Sequence, residues 1–240
     1  MPTTQSNATQ AKNSILTNYD WPGKFKPFAH QKQTAEFLTL NRRAFCFNEQ
    51  GTGKTASVIW ACDYLMNLGV VKRVLVICPL SIMKSAWQQD LFKFAIHRTC
   101  DVAYGEPKRR KKIIAQGAEF VIINFDGVEI VKQEIMKGGF DLIVVDEASA
   151  YKNAQTTRWK TLRDVAATTK GIWMLTGTPA AQSPVDAFGQ FYLGEMNLYG
   201  YGLAKNNQQA IQYYQQAAEK GRTSTPRHAA VPGPIRARLQ

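Results

Sequence analysis

Five short apolar runs, Ala44–Phe47, Val74–Cys78, Phe120–Ile123, Leu142–Val145 and Ile172–Leu175, punctuate residues 21–190 almost without polar interruption. A strand with one wet face alternates apolar and polar residues, whereas runs this continuous need cover on both faces. The stretches between them carry helical spacing instead. After Lys54 the set Val58, Ile59, Cys62, Leu65 and Met66 falls at i, i+3/i+4 intervals, and Gly69 offers a C-terminal stop. Ser81 is placed to cap a helix carrying Met83, Trp87, Leu91 and Phe94, while residues 126–136 and 156–167 give two weaker helices. This alternation predicts an α/β fold on a parallel sheet. The segments NEQGTGKT, PLS, NFDG, DEAS and TGTP follow the five runs in order. Ligands of open α/β sheets bind beyond the carboxyl ends of the strands, so five polar tails predict one site.

The rest of the chain sets bounds on that reading. At 240 residues it holds one or two domains, and no apolar run approaches the roughly 18 residues a bilayer span needs. The polar start lacks the apolar core of a secretory signal, which points to the cytoplasm. Thirty Lys and Arg against eighteen Asp and Glu give a net charge of +12. Such a surplus favours nucleic acid first and an acidic membrane surface second, against a basic protein with neither partner. Cys46, Cys62, Cys78 and Cys100 lack paired spacing and read as reduced, packed thiols, and no histidine has a second ligand at metal spacing. Residues 1–20 read as a flexible leader, 21–190 as the α/β domain, 191–221 as a pair of short helices and 222–240 as a disordered basic tail.

Two of the polar tails carry phosphate chemistry. Gly51, Thr52, Gly53, Lys54 and Thr55 lie between a strand and a helix, where backbone N–H groups form an anion nest. Lys54 would reach the outer phosphates and the Thr55 hydroxyl would bind Mg²⁺. The full G-x-x-x-x-G-K-[ST] pattern wants glycine where Asn48 stands, and the alternative is a structural glycine turn. Asp146 and Glu147 end the fourth run. Adjacent acids there can serve metal and water respectively, since consecutive side chains project apart. A solvated acidic turn is the alternative.

NEQGTGKT, VDEASAYKN and MLTGTPAAQSPVDAF resemble motifs I, II and III of superfamily-two helicases, specifically the Swi/Snf-type DNA translocases. Lys152, Asn153 and the TGTP turn discriminate in favour of that type. FKPFAHQ resembles the family's Q-type motif, CPLSIMKSAW motif Ia and VIINFDG motif Ib, so six motifs fall in order over residues 25–190. The resemblance implies a RecA-like P-loop sheet flanked by helices, with ATP and Mg as cofactors and duplex DNA as partner. It places Gln31 at adenine, Lys54 and Thr55 at phosphates and metal, and Asp146 and Glu147 at metal and water. Thr176, Gly177 and Thr178 would couple nucleotide state to DNA, with Pro79, Leu80, Ser81 and Asn124 near the DNA backbone. Ser149 stands where eukaryotic relatives have histidine.

The family's motor also uses a second lobe whose arginines complete the transition-state charge, a contribution of about 10³–10⁵ in turnover. Nothing after Pro179 resembles motifs IV to VI, and the residues beyond 190 are too few for such a lobe. The expectation is ATP·Mg binding with very slow hydrolysis by this chain alone, with a second-lobe chain in trans as one of two candidate protein partners. Leu193, Gly194, Met196, Gly200, Gly202, Ala210, Tyr213, Tyr214, Ala217, Ala218 and Gly221 resemble one Sel-like repeat, a relative of the tetratricopeptide helix pair. A single repeat cannot bury its own face, so residues 191–221 become a candidate surface for a protein partner. A plain helical hairpin covering the lobe is the alternative. Two functions therefore compete: the first lobe of a DNA-dependent ATPase, and an inactive nucleotide-binding or protein-interaction remnant. A small-molecule kinase finds no acceptor-pocket residues here. The basic run Lys108–Lys112 is either a phosphate contact or a solvated helix start.

Overall fold

In this computed structural model the described residues are 14–46, 48, 51–151, 153 and 155–177. The expectations for residues 191–221 and 222–240, and for Lys152 and Thr178, lie outside them. Two helices come first, α1 (Ile15–Asn18) and α2 (Ala29–Leu40), followed by β1 (Arg43–Cys46), α3 (Lys54–Asn67) and β2 (Val74–Cys78). A π-helix (Met83–Gln88) runs directly into α4 (Gln89–Phe94), and β3 (Cys100–Val102), α5 (Pro107–Ala115) and β4 (Phe120–Asn124) follow. The order closes with α6 (Phe125–Ile130), α7 (Lys132–Lys137), β5 (Leu142–Asp146), a 3₁₀ turn (Ala148–Tyr151), α8 (Thr157–Ala166) and β6 (Gly171–Leu175).

All six strands are parallel, in the order β1-β6-β5-β2-β4-β3. Side chains of β2 divide by parity, as pleating requires. Val74, Val76 and Cys78 join Trp60, Trp87 and Leu91 on one face, whereas Leu75 and Ile77 join Ile114, Val128 and Leu162 on the other. Cover by α3 and α4 on one side and α5 to α8 on the other is why the central runs contain no polar residue.

The sequence expectations hold for five strands within a residue at each end. The sixth, β3, was not anticipated, because its three residues CDV at the sheet edge are only half-buried and make no apolar run. Ser81 does not cap the helix after β2. The residue at that position is Ile82, with no side-chain cap, and the first turn is π rather than α. The predicted 126–136 helix breaks at Val131 into α6 and α7.

The leader assignment is corrected for residues 14–20. Ile15 is fully buried, and Tyr19 and Trp21 enter the α3-side core. The Tyr19 hydroxyl donates to Asp63 Oδ2 at 2.6 Å, and Arg98 Nε donates to Asp63 Oδ1 at 2.6 Å. Asp63 has 0% exposure, and a carboxylate that deep needs these donors. Among the described residues no helix is long and apolar enough to cross a membrane.

Candidate functional site

The loop after β1 depends on backbone conformations that side chains resist. Gly51 and Gly53 have φ of 78° and 75°. The left-handed φ is what asks for glycine at Gly53, and an added Cβ, 2.1 Å from Gln31 Nε2, would also push the end of that side chain aside. Gln31 fills that space for a reason. Its Nε2 donates to the Thr52 carbonyl at 3.2 Å, and its Oε1 accepts the Phe28 N–H at 3.0 Å. His30 Nε2 sits 3.1 Å from the same carbonyl, and its ring stacks on exposed Phe28 at 5.8 Å. The first turn of α2 thereby clamps the loop from outside. Beside it, a cavity of about 470 Å³ opens between His30, Phe37, Phe45 and Asn48.

Lys54 begins α3, and its Nζ donates to the Asn48 carbonyl at 2.8 Å across the loop. Asn48 Nδ2 in turn donates to Thr34 Oγ1 at 2.8 Å. Gly53 occupies the N-cap of α3 with no side-chain cap, and half-buried Thr55 is the second helical residue. An anion at this end would meet the start of a 14-residue helix, where the helix dipole adds partial positive charge.

Two strands away, Asp146 ends β5 with 8% exposure. Trp87 Nε1 donates to its Oδ2 at 2.8 Å, and the Glu147 N–H donates to its Oδ1 at 3.0 Å. Burial drives the Asp146 carboxyl above the ordinary range, and those two bonds and the Lys54 charge only partly counter it. A buried acid still short of positive charge fits a cation. The donor set, a carboxylate and the Thr55 hydroxyl, suits a hard, oxygen-seeking ion such as Mg²⁺. Glu147 is half-buried with φ of 55°, a left-handed conformation that costs a non-glycine residue about 1–2 kcal/mol.

The remaining sites divide. The Thr176 N–H donates to the Cys46 carbonyl at 3.1 Å, which fastens the buried start of the third motif to the end of β1, with half-buried Gly177 next to it. Pro79 is half-buried, and Leu80 and Ser81 are exposed beyond β2. Asn124 is the exception among the expected DNA contacts. It is 9% exposed, and its Oδ1 accepts Arg110 Nη1 at 2.9 Å, so its carbonyl oxygen is engaged internally. Arg110 also donates to the Ala103 and Gly105 carbonyls. The basic run therefore has one inward residue, with Lys108, Arg109, Lys111 and Lys112 exposed around it. Of the thiols, Cys46, Cys62 and Cys78 are free and buried, and burial pushes the free thiol of half-buried Cys100 up to about 12.

Sequence reasoning missed Trp87, His30 and Arg110 as parts of this edge. Trp87 sat in an apolar stripe, Arg110 in a run of like charge, and neither pattern reveals a polar atom aimed inward. His30 offered the one available signal, adjacency to Gln31.

The SNF2-related domain family matches residues 30–202, and the Sel1 repeat family matches residues 187–221. The Bacillus subtilis (strain 168) protein "Uncharacterized ATP-dependent helicase YqhH" is 26% identical over 160 residues, covering 65% of this chain and 27% of that protein. The Drosophila melanogaster "SWI/SNF-related matrix-associated actin-dependent regulator of chromatin subfamily A-like protein 1" is 25% identical over 158 residues, covering 63% of this chain and 19% of that protein. The chain therefore spans about a quarter or less of these relatives. The solved "Sulfolobus solfataricus SWI2/SNF2 ATPase core in complex with dsDNA" superposes with a TM-score of 0.59 at 23% identity. That match covers 70% of this chain and 36% of the other, and shows a common fold.

Proposed function

We propose, from the premise that this chain belongs to the SNF2-related domain family, that it is the ATP-binding first lobe of a helicase-like, DNA-dependent ATPase or translocase. One observation carries the reading. The clamped glycine loop, Lys54 and buried Asp146 converge on one edge of a parallel sheet, where a phosphate chain has donors at one end and a metal carboxylate at the other. The backbone of residues 51–55 and Lys54 hold the phosphates, Gln31 faces adenine while bracing Thr52, and Thr55 with Asp146 hold Mg²⁺. When bound, that ion neutralises charge on the phosphate oxygens. Glu147 orients the attacking water and accepts its proton. Thr176, Gly177 and Thr178 pass nucleotide state toward DNA, which runs past Pro79, Leu80 and Ser81. Asn124 acts one step behind, through Arg110. The helicase name of the Bacillus relative and the dsDNA in the solved relative support this assignment.

By themselves these 240 residues hydrolyse ATP very slowly, because second-lobe arginines come from elsewhere. The Sel1 match favours a second role, a protein partner held through residues 191–221. The buried free thiols suit a reducing cytoplasm.

Titration calorimetry with Mg·ATP tests the reading. Wild-type protein takes up the nucleotide, and Lys54→Ala weakens uptake by about tenfold or more, the scale of a lost charged hydrogen bond. No heat from folded wild-type protein overturns the proposal. Adding a second-lobe protein and duplex DNA restores turnover; fast hydrolysis without them contradicts the dependence on a second lobe.

A further inference from the structure

Trp87 links two parts of the molecule that the proposed function uses separately. Its indole is fully buried, and its N–H is 2.8 Å from Asp146 Oδ2. The ring belongs to the π-helix Met83–Gln88, which starts just beyond the exposed Leu80 and Ser81. That loop is stitched to the helix. The Ser85 hydroxyl donates to the Ser81 carbonyl at 2.8 Å, and the Ile82 N–H donates to the Pro79 carbonyl at 3.2 Å. A short covalent and hydrogen-bonded path therefore runs from the loop at the sheet edge to the carboxylate.

The helix that carries Trp87 is π rather than α. An i→i+5 turn holds one residue more than an α-turn, is rare, and recurs at functional sites. A change of this turn to α would rotate Trp87 relative to the loop and so move its N–H from Asp146. Packing alone does not ask for this donor. Phenylalanine would fill most of the volume among Met83 and Leu91, yet the indole N–H is aimed at the most buried acid of the site.

We propose that Trp87 is a positioning residue that couples the loop Pro79–Ser81 to Asp146, so that duplex DNA and Mg·nucleotide change each other's affinity through this one hydrogen bond. The inference rests on the nucleotide and DNA assignments above. Coupling of this kind is reciprocal and amounts to about 5–150-fold in affinity.

The test is duplex affinity, measured by fluorescence anisotropy with and without a saturating Mg·non-hydrolysable ATP analogue. Wild type, W87F and L91A are compared, Leu91 being similarly buried on α4. The two wild-type affinities differ about fivefold or more. In W87F their ratio falls to within about twofold of unity, the limit in which the coupling is removed. L91A melts earlier but keeps the wild-type ratio, which separates coupling from fold stability. A W87F ratio equal to wild type overturns the proposal. So does a wild type that binds both ligands without coupling, an outcome that leaves the functional reading intact. A wild type that takes up no nucleotide sinks both. Should W87F fail to fold, hydrogen exchange on the wild type decides. The analogue alone slows exchange across residues 79–91, and unchanged exchange there refutes the link.

Discussion

Single residues set the geometry of the loop, and Gly53 is the most exacting of them. Its φ of 75° and the 2.1 Å approach of Gln31 to an added Cβ act together. Gly53→Ala should lower stability by about 1–3 kcal/mol and weaken nucleotide uptake in the same calorimetric titration. A wild-type melting temperature and wild-type affinity would contradict the strain described here. At this scale the sequence was legible where chemistry depends on residue type. The letters put Lys54 and Thr55 after one strand and Asp146 and Glu147 at the end of another, and the parallel sheet brings both strand ends to one edge. Contacts depending on direction were not legible. Nothing in the letters tells that Asn124 faces Arg110, or that Asn48 reaches both Thr34 and Lys54.

Among the elements, α5 shows how one basic run serves two ends. Arg110 donates to three acceptors inside, while Lys108, Arg109 and Lys112 face outward. Arg110→Met should cost about 2–3 kcal/mol in denaturant melts, since three acceptors lose a charged donor. Replacing Lys108, Arg109 and Lys112 by alanine should leave stability within about 0.5 kcal/mol. The same triple change reduces the salt dependence of duplex binding by up to about one unit of slope for each phosphate these side chains neutralise. An unchanged slope would mean that this face does not meet DNA. Elements with long apolar faces were readable from spacing, as α3 and the four fully buried strands show. Those of polar composition were not. α2 buries only Gln31, Ala35 and Leu38, and β3 has no buried residue at all.

Across the whole molecule, strand bases are fastened by Asp141. Its carboxylate accepts the Lys72 and Arg73 N–H groups and pairs with Lys170 at 2.7 Å, so segments leading into β2, β5 and β6 share one anchor. Burial opposes the charge, but the Lys170 and backbone contacts outweigh it and hold this carboxyl below the ordinary range. An acid depressed in the folded state stabilises above its unfolded pKa and loses that contribution as pH falls through the folded value. Asp141→Asn should therefore be about 1–2 kcal/mol less stable than wild type at pH 7, with the gap closing below about pH 4. A pH-independent gap would assign the effect to packing. The sheet order has another outcome, felt before the protein is complete. Trp173 bonds to the Asn41 carbonyl 132 positions earlier, and β1 finds its neighbour only when β6 exists. A ribosome adding about 5–20 residues per second takes on the order of ten seconds to bridge that interval. Throughout it the emerging chain presents a bare strand edge, an early opening for chaperones and for aggregation alike.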